Sequence, residues 1–147
     1  KQANVQLAKK IDQSEMRPRY LKHFKNAIEN KRFKKGWMFS HLGKVGSPDV
    51  CVMVADFFMR VDDVNWTVVS GIHGNKFIVI FRSDGLRRNA GKIACDSLGQ
   101  FGSAGGHRNM ARAEISLSDL KDQVNPENEK KVLNWIISRI SQRRGGR

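Results

Sequence analysis

Apolar positions along this chain change period several times, and each change marks an element. Leu7 and Ile11 stand four apart. Pro18 suits the first turn of a second helix, on which Tyr20, Phe24 and Ile28 share a face ringed by Lys22, Lys25 and Lys31. Residues 1–35 therefore read as helix, turn, helix, closed by Lys31-Arg32-Phe33-Lys34-Lys35 before Gly36. Trp37 to Leu42 reads as a strand. Ser47-Pro48 is a helix start, and Val50, Val54, Phe57, Phe58 and Val61 follow at amphipathic spacing until Asp62-Asp63 breaks the pattern.

The next stretch is β-rich. Residues 65–72 carry Trp66, Val68 and Val69, His73-Gly74-Asn75 is turn chemistry, and Phe77 to Phe81 is a continuous apolar run. These segments predict an antiparallel hairpin whose second strand is buried on both faces and ends in Arg82-Ser83-Asp84-Gly85. Residues 89–98 predict a short helix with Ala90, Ile93, Ala94 and Leu98 inward. A glycine-rich loop follows, then a strand over 110–117 with Ala111, Ala113, Ile115 and Leu117 alternating. A final amphipathic helix opens at Asn125-Pro126 and carries Val132, Leu133, Ile136, Ile137 and Ile140. The tail Arg143-Arg144-Gly145-Gly146-Arg147 is expected to be flexible. The order βαββαβα predicts an α/β domain over 36–142, a mixed sheet with flanking helices, preceded by a basic helical segment over 1–35.

Charge sharpens that division. The formal net charge is +13, but residues 36–125 contribute only +1, residues 1–35 contribute +8 and residues 126–147 contribute +4. A nearly neutral domain thus lies between two basic ends. The first of these reads as an interdomain connector, a nucleic-acid contact or a solvated helix leaning on the domain. No run of about 18 apolar residues is available to span a bilayer. No apolar core follows the opening Lys-Gln-Ala-Asn, as a signal peptide requires. Cys51 and Cys95 are too few for a disulfide framework. They read as small buried hydrophobes in a reducing cytoplasm. The chain begins without Met, which fits a piece of something longer, as would processing.

The segment from Gly102 to Arg108 holds the most informative chemistry. Three glycines in five positions allow backbone N–H groups to turn outward, and His107 and Arg108 add a titratable donor and a fixed cation. Arg82 stands at the end of the central strand, where ligands of α/β sheets commonly lie. A phosphate site and a merely tight turn both fit. Neither a Walker loop nor a dinucleotide fingerprint is present. Asp49, Asp56 and Asp62 read as surface or helix-terminal charges, and no nucleophile stands beside a recognisable base. The chain has binding equipment without an evident reaction centre.

Phe77 to Ser83, Asn89 with its short helix, and Gly105-Gly106-His107-Arg108-Asn109-Met110-Ala111 together resemble the C-terminal, DHH-associated domain of DHH-family phosphoesterases. That family includes RecJ-like exonucleases, oligoribonuclease/pAp-phosphatase proteins and cyclic-dinucleotide phosphodiesterases. The resemblance covers residues 36–120. It implies a substrate-binding domain whose Arg82, Ser83, Asn89, Gly105, Gly106, His107 and Arg108 hold the phosphates of a nucleic-acid or nucleotide substrate. It also implies a missing N-terminal catalytic domain, with an Asp-His-His motif and two manganese ions, to which residues 1–35 connect. No Asp-His-His occurs in this chain. The fragment is therefore expected to be inactive alone and to hold no metal itself. The intact protein is expected to be a cytoplasmic phosphoester hydrolase with no membrane partner, and the family's habit of pairing through its catalytic half allows a homodimer. Many members of the family read Gly-Gly-His-x-x-Ala-Ala-Gly, whereas Arg112 stands at the last of those positions, as a further phosphate contact or a solvent-facing residue. A stand-alone nucleic-acid-binding module and a polyphosphate hydrolase are the alternatives.

Overall fold

A computed structural model describes residues 16–143. Its frame is a six-stranded mixed sheet with helices on both faces, the α/β architecture that the periodicities predict. The elements are α1 (Leu21–Asn30), β1 (Arg32–Lys34), β2 (Trp37–Lys44), α2 (Asp49–Phe58), β3 (Trp66–His73), β4 (Lys76–Ser83), α3 (Ala90–Leu98), β5 (Ser103–Gly106), β6 (Met110–Ser116), α4 (Leu117–Lys121) and α5 (Glu129–Gln142). The strands lie in the order β1-β2-β3-β4-β6-β5. Only β2 and β3 run parallel, joined by α2 as a crossover; the other neighbours are antiparallel.

The alternation of side chains in β4 divides the interior in two. Phe77, Val79 and Phe81 point to the face covered by α3 and α5, where they join Phe39, Trp66, Val68, Ala94, Leu98, Leu133 and Ile136. Ile78 and Ile80 point to the opposite face and join Met38, Val50, Val54, Phe58 and Val69 beneath α1 and α2. A strand apolar at five successive positions is what burial on both faces requires. Helix α2 comes down closely on β3 because Gly71 has no side chain: a Cβ there would lie 2.9 Å from the Cys51 sulfur. Thr67 Oγ1 donates to the Ala55 carbonyl across the same contact, at 3.1 Å.

Several local expectations are corrected. Residues 32–34 are an edge strand rather than the end of a helix. Lys35 and Gly36, with φ of 49° and 87°, form the two-residue turn that brings β1 back onto β2. Asn30 fixes the end of α1 by donating to the His41 carbonyl and accepting from Ser40 Oγ. The expected boundary after residue 35 falls in that turn, and α1 buries Ala27, with Tyr20 just before it, against the sheet. Residues 103–106 are not loop but strand β5. Leu117 starts α4, whose N-cap is Ser116, instead of ending the strand. Helix α5 starts three residues after Pro126, where Asn128 accepts from Lys131 N at 3.0 Å; Asn125 forms a separate turn by accepting from Glu127 N. Of the two cysteines only Cys51 is buried; Cys95 is exposed. The helix expected around Leu7 and Ile11, and the tail beyond Arg143, lie outside the described residues. No helix among the described residues is long and apolar enough to cross a membrane.

Candidate phosphate-binding site

The end of β4, the first turn of α3 and the tip of the β5–β6 hairpin meet at one end of the sheet, and backbone hydrogen bonds hold them together. Ser83 N donates to the Asn109 carbonyl at 3.1 Å, and Ser83 Oγ donates to the Arg108 carbonyl at 2.7 Å. The same Arg108 carbonyl accepts from Ala90 N, and the His107 carbonyl accepts from Gly91 N, both at 2.8 Å. Asn89 caps α3 by accepting from Lys92 N at 3.1 Å. Arg108 folds back to donate to the carbonyls of Gly85 and Leu86, at 3.1 and 3.2 Å. Two amides at the start of α3, whose intrahelical partners do not exist, are thus satisfied by the hairpin tip rather than by water.

The glycines of this region differ in what they do. A Cβ on Gly91 would lie 2.8 Å from the Gly106 carbonyl oxygen, and one on Gly106 would lie 2.5 Å from Ala111 Cα. Gly106 also has φ of 152°. Gly91 allows the close approach of α3 to β5, and Gly106 the close approach of β5 to β6 at the hairpin tip. Gly102 is similarly hemmed in, its Cβ position lying 2.1 Å from the Glu114 carbonyl oxygen. Around Gly105, by contrast, nothing stands within 4 Å of a Cβ. Gly105 pairs with Arg112, which pairs with Ile80, so it faces the α2 side of the sheet. On that side Met110 at the start of β6 packs against the core beneath α1 and α2, whereas no extensive contact joins either helix to β5.

Arg82 faces the same side. It stands opposite Met110 across the strand pair, and its guanidinium makes a salt bridge to Asp56 on α2 at 3.2 Å. Arg82 Nε is buried without a hydrogen-bond partner among the described residues. Arg112 shares this face, half exposed and 2.7 Å from Glu114. Of the residues singled out in the sequence, Arg82 and Gly105 therefore lie on the same face of the sheet, on strands separated by β6. Ser83, Asn89, Gly106 and the Arg108 side chain build the knot behind it, and His107 is exposed at the hairpin tip. Sequence reasoning missed Asp56, read as a surface charge, because nothing in its spacing announces a partner 26 residues later. Gly91 was missed as well, although a glycine in the first turn of a helix is a signal of close approach.

His41 and Cys51 are buried titratable groups of the core. His41 Nδ1 lies 2.8 Å from Ser70 Oγ, and burial lowers its pKa from 6.5 to about 4. Burial raises the Cys51 thiol to about 12, with Arg112 acting in the opposite sense. Among the described residues no three His, Cys, Asp or Glu side chains cluster as metal ligands would.

No family model matches the sequence. An uncharacterised protein of Methanocaldococcus jannaschii is 27% identical over 128 residues, which are 86% of this chain and 26% of that protein. An exopolyphosphatase-related protein from Bacteroides fragilis superposes on 86% of the chain with a TM-score of 0.63 at 12% identity. RecJ from Thermus thermophilus, solved in complex with Mg2+, covers 83% with a TM-score of 0.51 at 16% identity. The chain shares their fold. It spans 35% of the Bacteroides chain and 17% of the RecJ chain, so it corresponds to one part of each. The expected likeness to RecJ-like proteins is thus met at the level of fold.

Proposed function

We propose that this chain is the substrate-binding domain of a DHH-family phosphoesterase, and that the face of the sheet bearing Arg82 and Gly105 holds phosphate groups of a nucleotide or nucleic-acid substrate. The observation that carries the reading is the contrast between the glycines. Gly91, Gly102 and Gly106 are explained by packing, whereas Gly105 is not. A missing side chain that leaves open space on the face that also carries Arg82 leaves room for a ligand to approach the backbone. The arginine is already oriented by Asp56, so little rotamer freedom remains to be lost when an anion arrives. The shared fold with RecJ and with the exopolyphosphatase-related protein supports the same reading.

Arg82 would supply a fixed charge, Gly105 close access to the backbone, and His107 a donor from the hairpin tip. Arg112 would add a second cation from β6. The knot of Ser83, Asn89, Gly106 and Arg108 would keep these groups in register. In this reading the manganese pair that the family brings belongs to the catalytic domain, and this chain's own part would be binding and orientation. Hydrolysis of short oligonucleotides or nucleotides would belong to the intact protein. Because the strongest fold likeness given above is to an exopolyphosphatase-related protein, polyphosphate is the second reading. It uses the same clamp without any base contact.

Titration of the chain with AMP and with tripolyphosphate, followed by amide chemical shifts, tests both. Shifts centred on Arg82, Gly105 to Arg108 and Arg112 are expected, and Arg82→Ala should weaken binding about tenfold, since a charge-assisted hydrogen bond contributes about 1.5–3 kcal/mol. Binding that leaves those amides unmoved overturns the site. Binding of tripolyphosphate alone favours the second reading.

A further inference from the structure

Cations from both ends of the described chain, Lys34 and Lys35 on one side and Arg143 on the other, are brought to one place by the fold. Arg32 on β1 donates to the Asn134 side chain and to the Lys130 carbonyl of α5, which fastens the N-terminal edge strand to the C-terminal helix. Where β1 turns into β2 and α5 ends, Lys34, Lys35, Trp37, Phe39, Ile140 and Arg143 help to enclose a pocket of about 150 Å³. Its floor is aromatic: Trp37 stacks on Trp66 at 4.5 Å and 3°, and on Phe39 at 5.8 Å and 6°. Its rim is cationic. Lys34 and Lys35 are exposed, and none of the salt bridges among the described residues involves them or Arg143.

Arg143 lies over the Trp37 ring at 5.7 Å, and its Nε is buried without a hydrogen-bond partner among the described residues. Burial lowers its pKa, and Asp96 on α3 acts in the opposite sense. Acidic side chains are few at this rim. Asp62 and Asp63 lie on the loop leading to Asn65, whose amide donates to the Gly36 carbonyl, and make no salt bridge to either lysine. In the sequence, Arg144 and Arg147 follow Arg143.

From this convergence we propose that the Trp37 pocket, with Lys34, Lys35 and Arg143, is a binding site for single-stranded nucleic acid. An unpaired base stacks on the aromatic floor, and its flanking phosphates meet the rim cations. Aromatic platforms combined with a cationic groove are how single strands are held without regard to sequence. A duplex keeps its bases paired and cannot present one to the floor. The surface is distinct from the Arg82 site and rests on its own observations. The two lie at the same end of the sheet, since Trp37 is level with Trp66, Trp66 with Ser83, and Arg82 with Met110. Three strand spacings, about 14 Å, separate Trp37 from Met110.

Fluorescence anisotropy of labelled (dT)12, (U)12 and a 12-base-pair duplex, repeated over a range of salt, tests the proposal. Both single strands should bind more tightly than the duplex and quench tryptophan emission in a Trp135→Phe background. The triple variant Lys34→Gln, Lys35→Asn, Arg143→Gln should flatten the salt slope by about 2, at about 0.7 per lost phosphate contact on a single strand. Trp37→Leu should weaken (dT)12 about tenfold, as loss of one stacking platform does, while keeping the salt slope. The rim lysines are exposed, so the double variant Lys34→Gln, Lys35→Asn keeps its fold and should flatten the slope by about 1.4 even where the Arg143 or Trp37 changes disturb packing. An unchanged slope in the triple variant overturns the proposal. Duplex binding equal to single-strand binding, with no tryptophan quenching, also overturns it. AMP titration followed at Arg82 and Gly105 is read separately, so failure of AMP binding while the rim variant still flattens the (dT)12 salt slope speaks only to the Arg82 site.

Discussion

Replacing Gly91 by alanine places a Cβ 2.8 Å from the Gly106 carbonyl oxygen and 3.0 Å from its carbon. Both are backbone atoms, so no side chain can swing away, and α3 and β5 must separate. The separation strains the bonds from Ala90 N and Gly91 N to the hairpin tip, each 2.8 Å long. Overpacking of this kind costs about 1–3 kcal/mol, and a weakened hydrogen bond up to about 1 kcal/mol more. Alanine regains up to about 1 kcal/mol of helix propensity. The net loss is about 2 kcal/mol, or roughly 8 °C in melting temperature at about 4 °C per kcal/mol for a chain of this size. Gly105→Ala is the control, because nothing lies within 4 Å of its Cβ. It should change stability by less than about 0.5 kcal/mol, while lowering affinity for AMP. Urea and thermal melts of both variants decide the matter. If Gly91→Ala melts with the parent, or if Gly105→Ala is the more damaging of the two, the assignment of packing and binding roles to these glycines is wrong.

Acid should destabilise the fold through His41. Its pKa is about 4 when folded and 6.5 when free, so the unfolded chain takes up the proton first as pH falls, and stability declines by up to about 3 kcal/mol between pH 6.5 and 4; His41→Gln should flatten urea midpoints across that window, and a parallel decline in the variant would refute the cause. Iodoacetamide should label Cys95, which is exposed, and spare Cys51, which is buried with its thiol near 12; mass spectrometry of the native protein showing Cys51 alkylated would count against that packing. The purified chain should not hydrolyse short oligonucleotides with manganese present, and activity that persists after removal of contaminating nuclease would refute the reading of it as a binding domain. Amides of β4, buried on both faces, should exchange more slowly than those of α1, which leaves Leu21 and Ile28 exposed.

The parts of the fold legible in the sequence were those with long, one-sided patterns. The run from Phe77 to Phe81 and the spacing of Val50, Val54 and Phe58 announced a central strand and a crossover helix, because burial alone dictates them. Elements fixed by turn chemistry were less visible. Strand β1 is three residues long and largely basic; its presence depends on Lys35 and Gly36 adopting positive φ, which the apolar pattern does not carry. Helix α4 was hidden because Leu117 continues the alternation of Ala113 and Ile115. The capping spacing from Ser116 to Asp119 was the signal to read. At the candidate site, Arg82 and the glycine stretch stood out by residue type. Which glycine opens outward and which is packed depends on the pairing of β5 with β6 and the position of α3. The cationic pocket at Trp37 was visible only as charge at two chain ends, since their meeting is a tertiary event.

The two borders of the sheet have a consequence for assembly. β1 offers three residues, two of them cationic, and β5 offers four, two of them glycine. Short, charged or glycine-rich borders make poor templates for a further strand, and like charge on β1 repels a second copy of itself. Growth of the sheet from chain to chain is thereby disfavoured at both sides, and the concentrated positive charge at one border works against aggregation as well as toward polyanions. Such a domain can carry a large excess of cations and an exposed ladder at each border, yet still remain a discrete unit rather than the seed of a fibre.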